Sequence, residues 1–200
     1  MKPNIKDLSF EELTAFLSEH NHPGYRAKQV RQWLFQKRAA CFDEMTNLSR
    51  PLRELLDAHF SVGRLPILRR AESRDGTVKF LFGLVDEVSI ESVLIPEPRR
   101  LTLCVSTQAG CGFGCAFCAT AVLGLKRNLT ASEIVDQILE ASRTLGDDGR
   151  ITHVAMVMGS SRAVHIALGR GGHYIEDFNR PDDYTTALVE RFRFAKRVLS

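Results

Sequence analysis

Three common features are missing from the sequence, and each absence excludes a class of protein. The 200 residues include 27 Lys and Arg against 24 Asp and Glu, so net charge alone does not indicate a nucleic-acid-binding protein. No apolar run approaches the length of a membrane span, and the polar residues 1–7 do not form a signal peptide. Internal repeats are absent too, which excludes a repeat protein. We therefore expect a soluble cytoplasmic protein that does not associate with membranes.

Cysteine is scarce and unevenly placed. The chain has 5 cysteines, and three of them, Cys111, Cys115 and Cys118, lie within one short segment. An odd and clustered set without a secretory signal argues against a disulfide framework. Metal or redox chemistry in a reducing compartment is the better interpretation, and Cys41 is interpreted as structural filling.

The spacing Cys-x3-Cys-x2-Cys supplies three thiolates, one fewer than most metal sites require. Structural zinc sites usually have four ligands in paired Cys-x2-Cys spacing, and ordinary ferredoxin clusters have four cysteines. No cysteine follows Cys118, so a zinc site would need another ligand, for which His153 is a candidate. A [4Fe–4S] cluster held by Cys111, Cys115 and Cys118 would instead keep one iron without a protein ligand.

An open iron allows S-adenosylmethionine (SAM) to chelate the cluster through its amino and carboxylate groups. An electron from the cluster then cleaves a carbon–sulfur bond of SAM and produces a 5′-deoxyadenosyl radical. Phe117, just before the third cysteine, suits an aromatic side chain packed near the nucleoside of SAM. The sequence therefore predicts two cofactors, a [4Fe–4S] cluster and SAM.

Hydrophobic periodicity predicts an α/β protein whose first part is helical. Capping-box patterns at Ser9–Glu12 and Thr130–Glu133 each begin a helix. Further helices are predicted at about 25–37 and 52–60, strands at 77–85, 88–95, 101–105 and 151–158, and a loop at 96–100. The order strand, loop, helix, strand predicts a βαβ unit with the cysteines at the carboxyl end of its first strand. That is where α/β proteins place their chemistry.

Several segments together resemble the dual-specificity RNA methyltransferases of the RlmN/Cfr type, over roughly residues 5–158. They are Tyr25-Arg-Ala-Lys-Gln29, Phe42-Asp-Glu-Met-Thr-Asn-Leu48, Asp75-Gly-Thr77, Ile90-Glu-Ser-Val-Leu-Ile-Pro96, Leu103-Cys-Val-Ser-Thr-Gln-Ala-Gly-Cys111, Cys115-Ala-Phe-Cys-Ala-Thr120, Lys126-Arg-Asn-Leu-Thr130 and Glu133-Ile-Val-Asp-Gln137. The resemblance is far more specific than the cysteine spacing alone.

The resemblance implies a radical SAM enzyme that forms 2-methyladenosine in 23S ribosomal RNA and transfer RNA. It implies a methylated cysteine as methyl carrier, an external electron donor such as flavodoxin, and a monomer. It also implies roles for two residues here. Glu91 resembles the base that removes the C2 proton, and Cys104 resembles the cysteine that resolves the protein–RNA crosslink. Judged without the family, Glu91 reads as a surface carboxylate and Cys104 as a buried strand cysteine.

The resemblance also suggests how the chain is divided. Residues 1–62 are expected to form a helical RNA-binding accessory domain, 63–100 a β-hairpin linker, 101–158 the start of a radical-SAM (βα) partial barrel, and 159–200 a divergent tail. The predicted second helix carries five basic residues and no acidic one, namely Arg26, Lys28, Arg31, Lys37 and Arg38. These residues either neutralise RNA phosphates or form a solvated helix face.

Two departures from the family pattern follow Cys118. The SAM-binding Gly-Glu-Pro motif is absent after Met158, where Gly159-Ser-Ser-Arg162 stands instead, and no later cysteine supplies the methyl carrier. We therefore expect a truncated or frameshifted relative. The alternatives to methyltransferase activity are a non-catalytic remnant that binds RNA or a cluster, and a short radical SAM protein with another substrate.

Overall fold

The computed structural model describes residues 2–111, 124–145, 151–157, 163–167 and 174–175. These residues fall into two compact units, one ending at Arg64 and the other beginning at Leu65. Within the described ranges, no helix is long and apolar enough to cross a membrane. The division of the chain into an accessory domain (1–62), a linker (63–100), the start of a barrel (101–158) and a tail (159–200) stays a prediction.

The first unit is helical, as the sequence predicts. Its helices are α1 (Phe10–Glu19), α2 (Tyr25–Arg31), which continues into a π-helical turn at Gln32–Gln36, and α3 (Arg50–His59), with short 3-10 turns at Ile5–Asp7 and Phe42–Glu44. The helices bury one apolar core whose fully enclosed side chains include Leu17, Val30, Met45, Leu52 and Leu56. Burying a side chain of this size stabilises the fold by about 1.5–3 kcal/mol.

The start of α1 follows directly from its sequence. The Ser9 hydroxyl accepts a hydrogen bond from the Glu12 amide at 3.1 Å, and the Ser9 amide donates to the Glu12 carboxylate at 2.7 Å. This reciprocal pair satisfies amide groups that a helix N-terminus leaves without partners. The capping box predicted at Ser9 is confirmed.

The second unit is built on a mixed sheet of seven strands in the order β1-β2-β3-β4-β7-β8-β9. Its strands are β1 (Ile67–Glu72), β2 (Val78–Gly83), β3 (Ser89–Glu97), β4 (Arg100–Val105), β7 (His153–Val157), β8 (Ala163–Ala167) and β9 (Tyr174–Ile175). A separate two-stranded sheet pairs β5 (Gln108–Gly110) with β6 (Leu125–Asn128). The remaining helix is α4 (Ala131–Thr144).

The predicted βαβ unit is present. Strands β4 and β7 are adjacent and parallel, with Cys104 opposite Ala155, and α4 connects them on the chain. One face of β2, β3 and β4 carries buried apolar side chains, namely Phe80, Phe82, Ile90, Leu94 and Leu103, and Ser92 on the same face bonds Gln137 of α4. Helix α4 is itself buried on nearly all sides, including the polar residues Asp136, Gln137 and Glu140.

The structure differs from the sequence-based expectations at three places. The predicted loop at 96–100 is mostly strand, because β3 extends to Glu97 and β4 begins at Arg100, pairing with it directly. Strands β1, β5, β6, β8 and β9 were not predicted, and they are short or lack apolar alternation. Cys41 is exposed, so its interpretation as core filling is wrong.

We expect Ser9→Ala to destabilise the first unit by about 1 kcal/mol, because the Glu12 amide loses its acceptor at the start of α1. Urea unfolding would measure the change. Ser18→Ala is the matched control, since Ser18 bonds the Thr14 carbonyl inside the same helix at 2.9 Å and caps nothing. Equal effects of the two substitutions would contradict the capping role.

Candidate active site

The strand register brings Glu91 and Cys104 onto one face of the sheet. Cys104 lies directly opposite Val93, and Glu91 is two residues before Val93 on the same strand. Directly paired residues share a face, as do residues two apart along a strand. Lys79 also lies opposite Val93, from β2. We call the side carrying Lys79, Glu91, Val93 and Cys104 the Cys104 face; α4 packs against the opposite side.

Glu91 is exposed and is held by an ion pair. Its carboxylate lies 2.9 Å from the ammonium of Lys79, with both side chains about half exposed at 53% and 54%. The Ser106 hydroxyl donates to the Glu91 carbonyl at 2.7 Å, which ties β3 to the end of β4. The carboxylate is therefore oriented but open to solvent, so a ligand on the Cys104 face could reach it.

A buried glutamine fixes the strands that carry these two residues. Gln137 on α4 is fully buried, and its side-chain carbonyl accepts from the Ser92 hydroxyl at 2.6 Å and from the Ser106 amide at 2.8 Å. Its side-chain amide donates to the Ser106 carbonyl at 2.9 Å. Buried polar groups satisfied in this way specify one arrangement of the elements they join. Gln137 thus sets the position of Glu91 relative to Cys104.

Cys104 is a half-buried free thiol. Burial raises the pKa of this thiol above its ordinary value, because the charged thiolate loses solvation. Cys104 is therefore protonated at neutral pH, and a base must remove its proton before it acts as a nucleophile.

Cys111 lies where a narrow hairpin closes the cysteine loop. Its amide donates to the Gly124 carbonyl at 3.2 Å, just beyond the β5–β6 pairing. Gly110 and Gly124 both have left-handed φ angles, +79° and +64°. A Cβ on Gly110 would lie 1.9 Å from the Gly124 carbonyl oxygen, so only glycine fits there. We call β5, β6, Cys111 and Gly124 the hairpin neck.

Arg127, on β6, joins the hairpin neck to two other elements. Its guanidinium donates to both oxygens of Glu133 at 2.7 and 2.8 Å and to Asp86 at 2.6 Å. Glu133 also completes the capping box of α4 with Thr130, and Asp86 lies in the turn between β2 and β3. The hydrogen bonds that Arg127 donates to Glu133 and Asp86 raise the pKa of Arg127, and the bond that Asp86 accepts from it lowers the pKa of Asp86.

The structure covers part of the site predicted from sequence. It describes Glu91, Cys104 and Cys111, whereas Cys115, Cys118 and Phe117 lie outside the described residues. Among the residues described, no three His, Cys, Asp or Glu side chains form a group that could hold a metal ion. Sequence reasoning missed three supporting residues, Lys79, Arg127 and Gln137; the last two lie in segments that carry the family resemblance.

Comparison with known proteins shows what this chain is similar to. Residues 3–62 match the ribosomal RNA large subunit methyltransferase N-terminal domain. The chain is 51% identical over 153 residues to the dual-specificity RNA methyltransferase RlmN of Desulfosudis oleivorans, and 46% identical over 157 residues to the probable RlmN of Halalkalibacterium halodurans. The chain is a relative of the RlmN methyltransferases. The resemblance found in the sequence is confirmed.

This RlmN relative matches only part of those proteins. The two alignments cover 76% and 78% of the chain but 41% and 43% of the relatives, so the chain spans about two-fifths of their length. The crystal structure of a radical SAM methyltransferase from Sphaerobacter thermophilus matches with a TM-score of 0.69 and 41% identity, over 76% of this chain and 45% of that one. The predicted fold class, a helical first part followed by the beginning of a radical-SAM α/β core, is confirmed.

The hairpin neck of this RlmN relative should tolerate substitution at one glycine and not at the other. Gly124→Ala should cost about 1–2 kcal/mol, the strain of a left-handed residue, because nothing lies within 4 Å of its Cβ. Gly110→Ala should cost at least about 3 kcal/mol, because overpacking against the Gly124 carbonyl adds to that strain. Urea unfolding of the two variants measures both values, and equal costs would contradict the close approach.

The Asp86–Arg127 bond should make the stability of this RlmN relative depend on acid pH. A carboxylate with a lowered folded pKa stabilises the fold above its unfolded pKa, and the effect disappears as pH falls through the folded pKa. The difference in stability between the wild type and Asp86→Asn should therefore be complete above about pH 5 and shrink below pH 4.

Urea unfolding between pH 2.5 and 7, a range of about five units that spans the titration, measures this difference. Glu87→Gln is the matched control, because it removes the neighbouring charge in the same turn and leaves the Arg127 pair intact. A difference that is independent of pH would contradict the ion pair.

Proposed function

We propose that this chain carries the radical SAM site of an RNA methyltransferase that forms 2-methyladenosine in 23S ribosomal RNA and transfer RNA. The observation that supports it most is the placement of Glu91 and Cys104 on one face of the sheet, on strands fixed by Gln137. Two residues nominated separately by the family resemblance thus lie where they can act on one ligand. The similarity to RNA methyltransferases and to a radical SAM methyltransferase supports the same reaction class.

The described residues fit the implied [4Fe–4S] cluster. Cys111 is a free, half-buried cysteine at the mouth of the hairpin neck, and Gly110 and Gly124 let the two backbones approach closely there. We assign Cys115 and Cys118 as the other two ligands and Phe117 as a residue packed near the nucleoside of SAM. When bound, a cluster held there would supply the electron that cleaves SAM.

The chain's own residues then handle protons and the thiol. We assign to Glu91 the removal of the C2 proton of the adenine, with Lys79 orienting its carboxylate at 2.9 Å. Cys104 is protonated at rest because of its burial, and we assign to it the crosslink-resolving role, for which a base would first have to accept its proton. Cys41 is the one of the five cysteines without an assigned role, and the resemblance gives it no part in the reaction, so the methyl-carrier role is assigned to no residue here.

The first unit offers a surface suited to RNA. On α2 and the turn that follows it, Arg26 lies over the ring of Tyr25 at 5.0 Å and Lys37 over the ring of Trp33 at 3.8 Å. Tyr25 is 59% exposed. Cations bind phosphates and exposed aromatic rings stack on bases, so this pairing suits single-stranded or looped RNA. We propose a cytoplasmic monomer that binds RNA here and takes electrons from a donor such as flavodoxin.

A second candidate function is a non-catalytic protein that binds RNA or a cluster. It is favoured by Gly159-Ser-Ser-Arg162, which stands where the family has its Gly-Glu-Pro motif. Both functions use the surface on α2. They differ in whether the EPR signal of the cluster changes when SAM is added. A short radical SAM protein acting on another substrate would respond to SAM without methylating RNA.

Anaerobic iron and sulfide reconstitution should give a [4Fe–4S] EPR signal that changes on adding SAM, with Cys111→Ala as the variant that loses it. Cys41→Ala is the matched control, because Cys41 is exposed in the other unit. Mass spectrometry of RNA incubated with the loaded protein then measures whether 2-methyladenosine forms. An EPR signal that does not change on adding SAM would overturn the radical SAM proposal. SAM cleavage without methylated RNA would favour a short radical SAM protein that acts on another substrate.

A further inference from the structure

Arg127 contributes to none of the proposed chemical steps, yet it makes more charged contacts than any neighbour in the hairpin neck. It binds both oxygens of Glu133 and one oxygen of Asp86, with its side chain 32% exposed and that of Glu133 only 13% exposed. Ion pairs this well ordered and partly buried are screened less by salt than exposed pairs. Such an arrangement fixes geometry as well as adding stability.

The three bonds of Arg127 join elements at different distances along the chain, one of them far away. Asp86 lies in the β2–β3 turn, 41 residues before Arg127, and Glu133 begins α4, six residues after it. Arg127 itself lies opposite Ala109 in the hairpin neck, and Ala109 is two residues before Cys111 on the chain. One guanidinium thus connects the strand that leads to Glu91, the helix that carries Gln137, and the base of the cysteine loop.

The fork shape of the guanidinium is required for this arrangement. Two parallel bonds go to Glu133 and a third, from Nε, goes to Asp86 on the other side. A lysine ammonium is a single point charge and reaches one of these carboxylates without spanning both. The directions of these three bonds therefore explain why the segment Lys126-Arg-Asn-Leu-Thr130 has arginine, and not lysine, at position 127.

We propose that Arg127 is a positioning residue that keeps β5 paired with β6, so that Cys111 is held in place to ligate the cluster and keeps a fixed position relative to Glu91. This inference rests on the proposed function, because it assigns a purpose to the neck through the cluster ligands. It predicts that loss of Arg127 loosens the neck while the fold of both units persists.

The test has two readouts, one of which needs no cluster. In the apo protein, hydrogen exchange of the Cys111 amide reports opening of the neck. In the reconstituted protein, the rate of cluster loss to an iron chelator reports retention of the ligands. We expect Arg127→Met to accelerate both roughly ten-fold, as loss of support around metal ligands does elsewhere. Arg127→Lys should recover only part of the effect.

The matched control is Arg100→Met, which removes an arginine–carboxylate pair of 2.7 Å with Glu97 at the β3–β4 turn, away from the neck. Its two rates should equal those of the wild type. Circular dichroism should show both variants folded. If Arg127→Met does not fold, Asp86→Asn removes one arm while Glu133 keeps the α4 cap, and it should still accelerate both rates.

Each result decides one proposal. Unchanged exchange at Cys111 in Arg127→Met, or equal acceleration in Arg100→Met, would overturn the positioning role. A wild-type protein that takes up no cluster would overturn the proposed function, whereas faster exchange at Cys111 in its Arg127→Met variant would still support the closing of the neck. Failure of the one is therefore distinguishable from failure of the other.

Discussion

One guanidinium that satisfies two carboxylates at once links three elements of the second unit. Arg127 binds Glu133 through two parallel bonds and Asp86 through a third, all between 2.6 and 2.8 Å. Glu133 serves simultaneously as the cap of α4, so the same carboxylate fixes the helix start and the hairpin neck. Because the pair is charge-assisted and partly shielded from water, small displacements of any of the three elements cost more than they would at an exposed pair.

The residues with proposed chemical roles are held in two different ways. Glu91 and Cys104 lie on central strands whose relative position is set by backbone pairing and by Gln137. Cys111 lies at the end of a two-stranded hairpin that holds the ends of a loop together. Strands give precision to groups that must act on one carbon atom, and a loop allows several thiolates to surround a bulky cluster. Under the proposed function, the difference between strand and loop follows from the size of the two targets, a single carbon atom for the strand residues and a cluster for the loop.

Local sequence signals predicted the local structure well. The capping boxes at Ser9 and Thr130 are encoded within four residues each, and both form as predicted. The shared face of Glu91 and Cys104 could not be read from the sequence, because it depends on the pairing of Val93 with Cys104 across two strands. The ion pair between Arg127 and Asp86 also could not be predicted, because the two residues are far apart on the chain. Helix α4 buries Asp136 and Gln137 on sides that periodicity marks as polar, since tertiary packing and not the helix pattern decides its burial.

The tight backbone crossing at Gly110 and Gly124 has a consequence for the thermodynamics of metal uptake. Joining two points that are 13 residues apart reduces the freedom of the chain between them, and that loss of entropy occurs when the β5–β6 hairpin forms. Cys111 and Gly124, which flank positions 112–123 of the sequence, are held together by the fold itself. Under the proposed function, the entropy cost of bringing these two points together would be met by folding and not by binding of the cluster, as in a ligand that is preorganised for its ion.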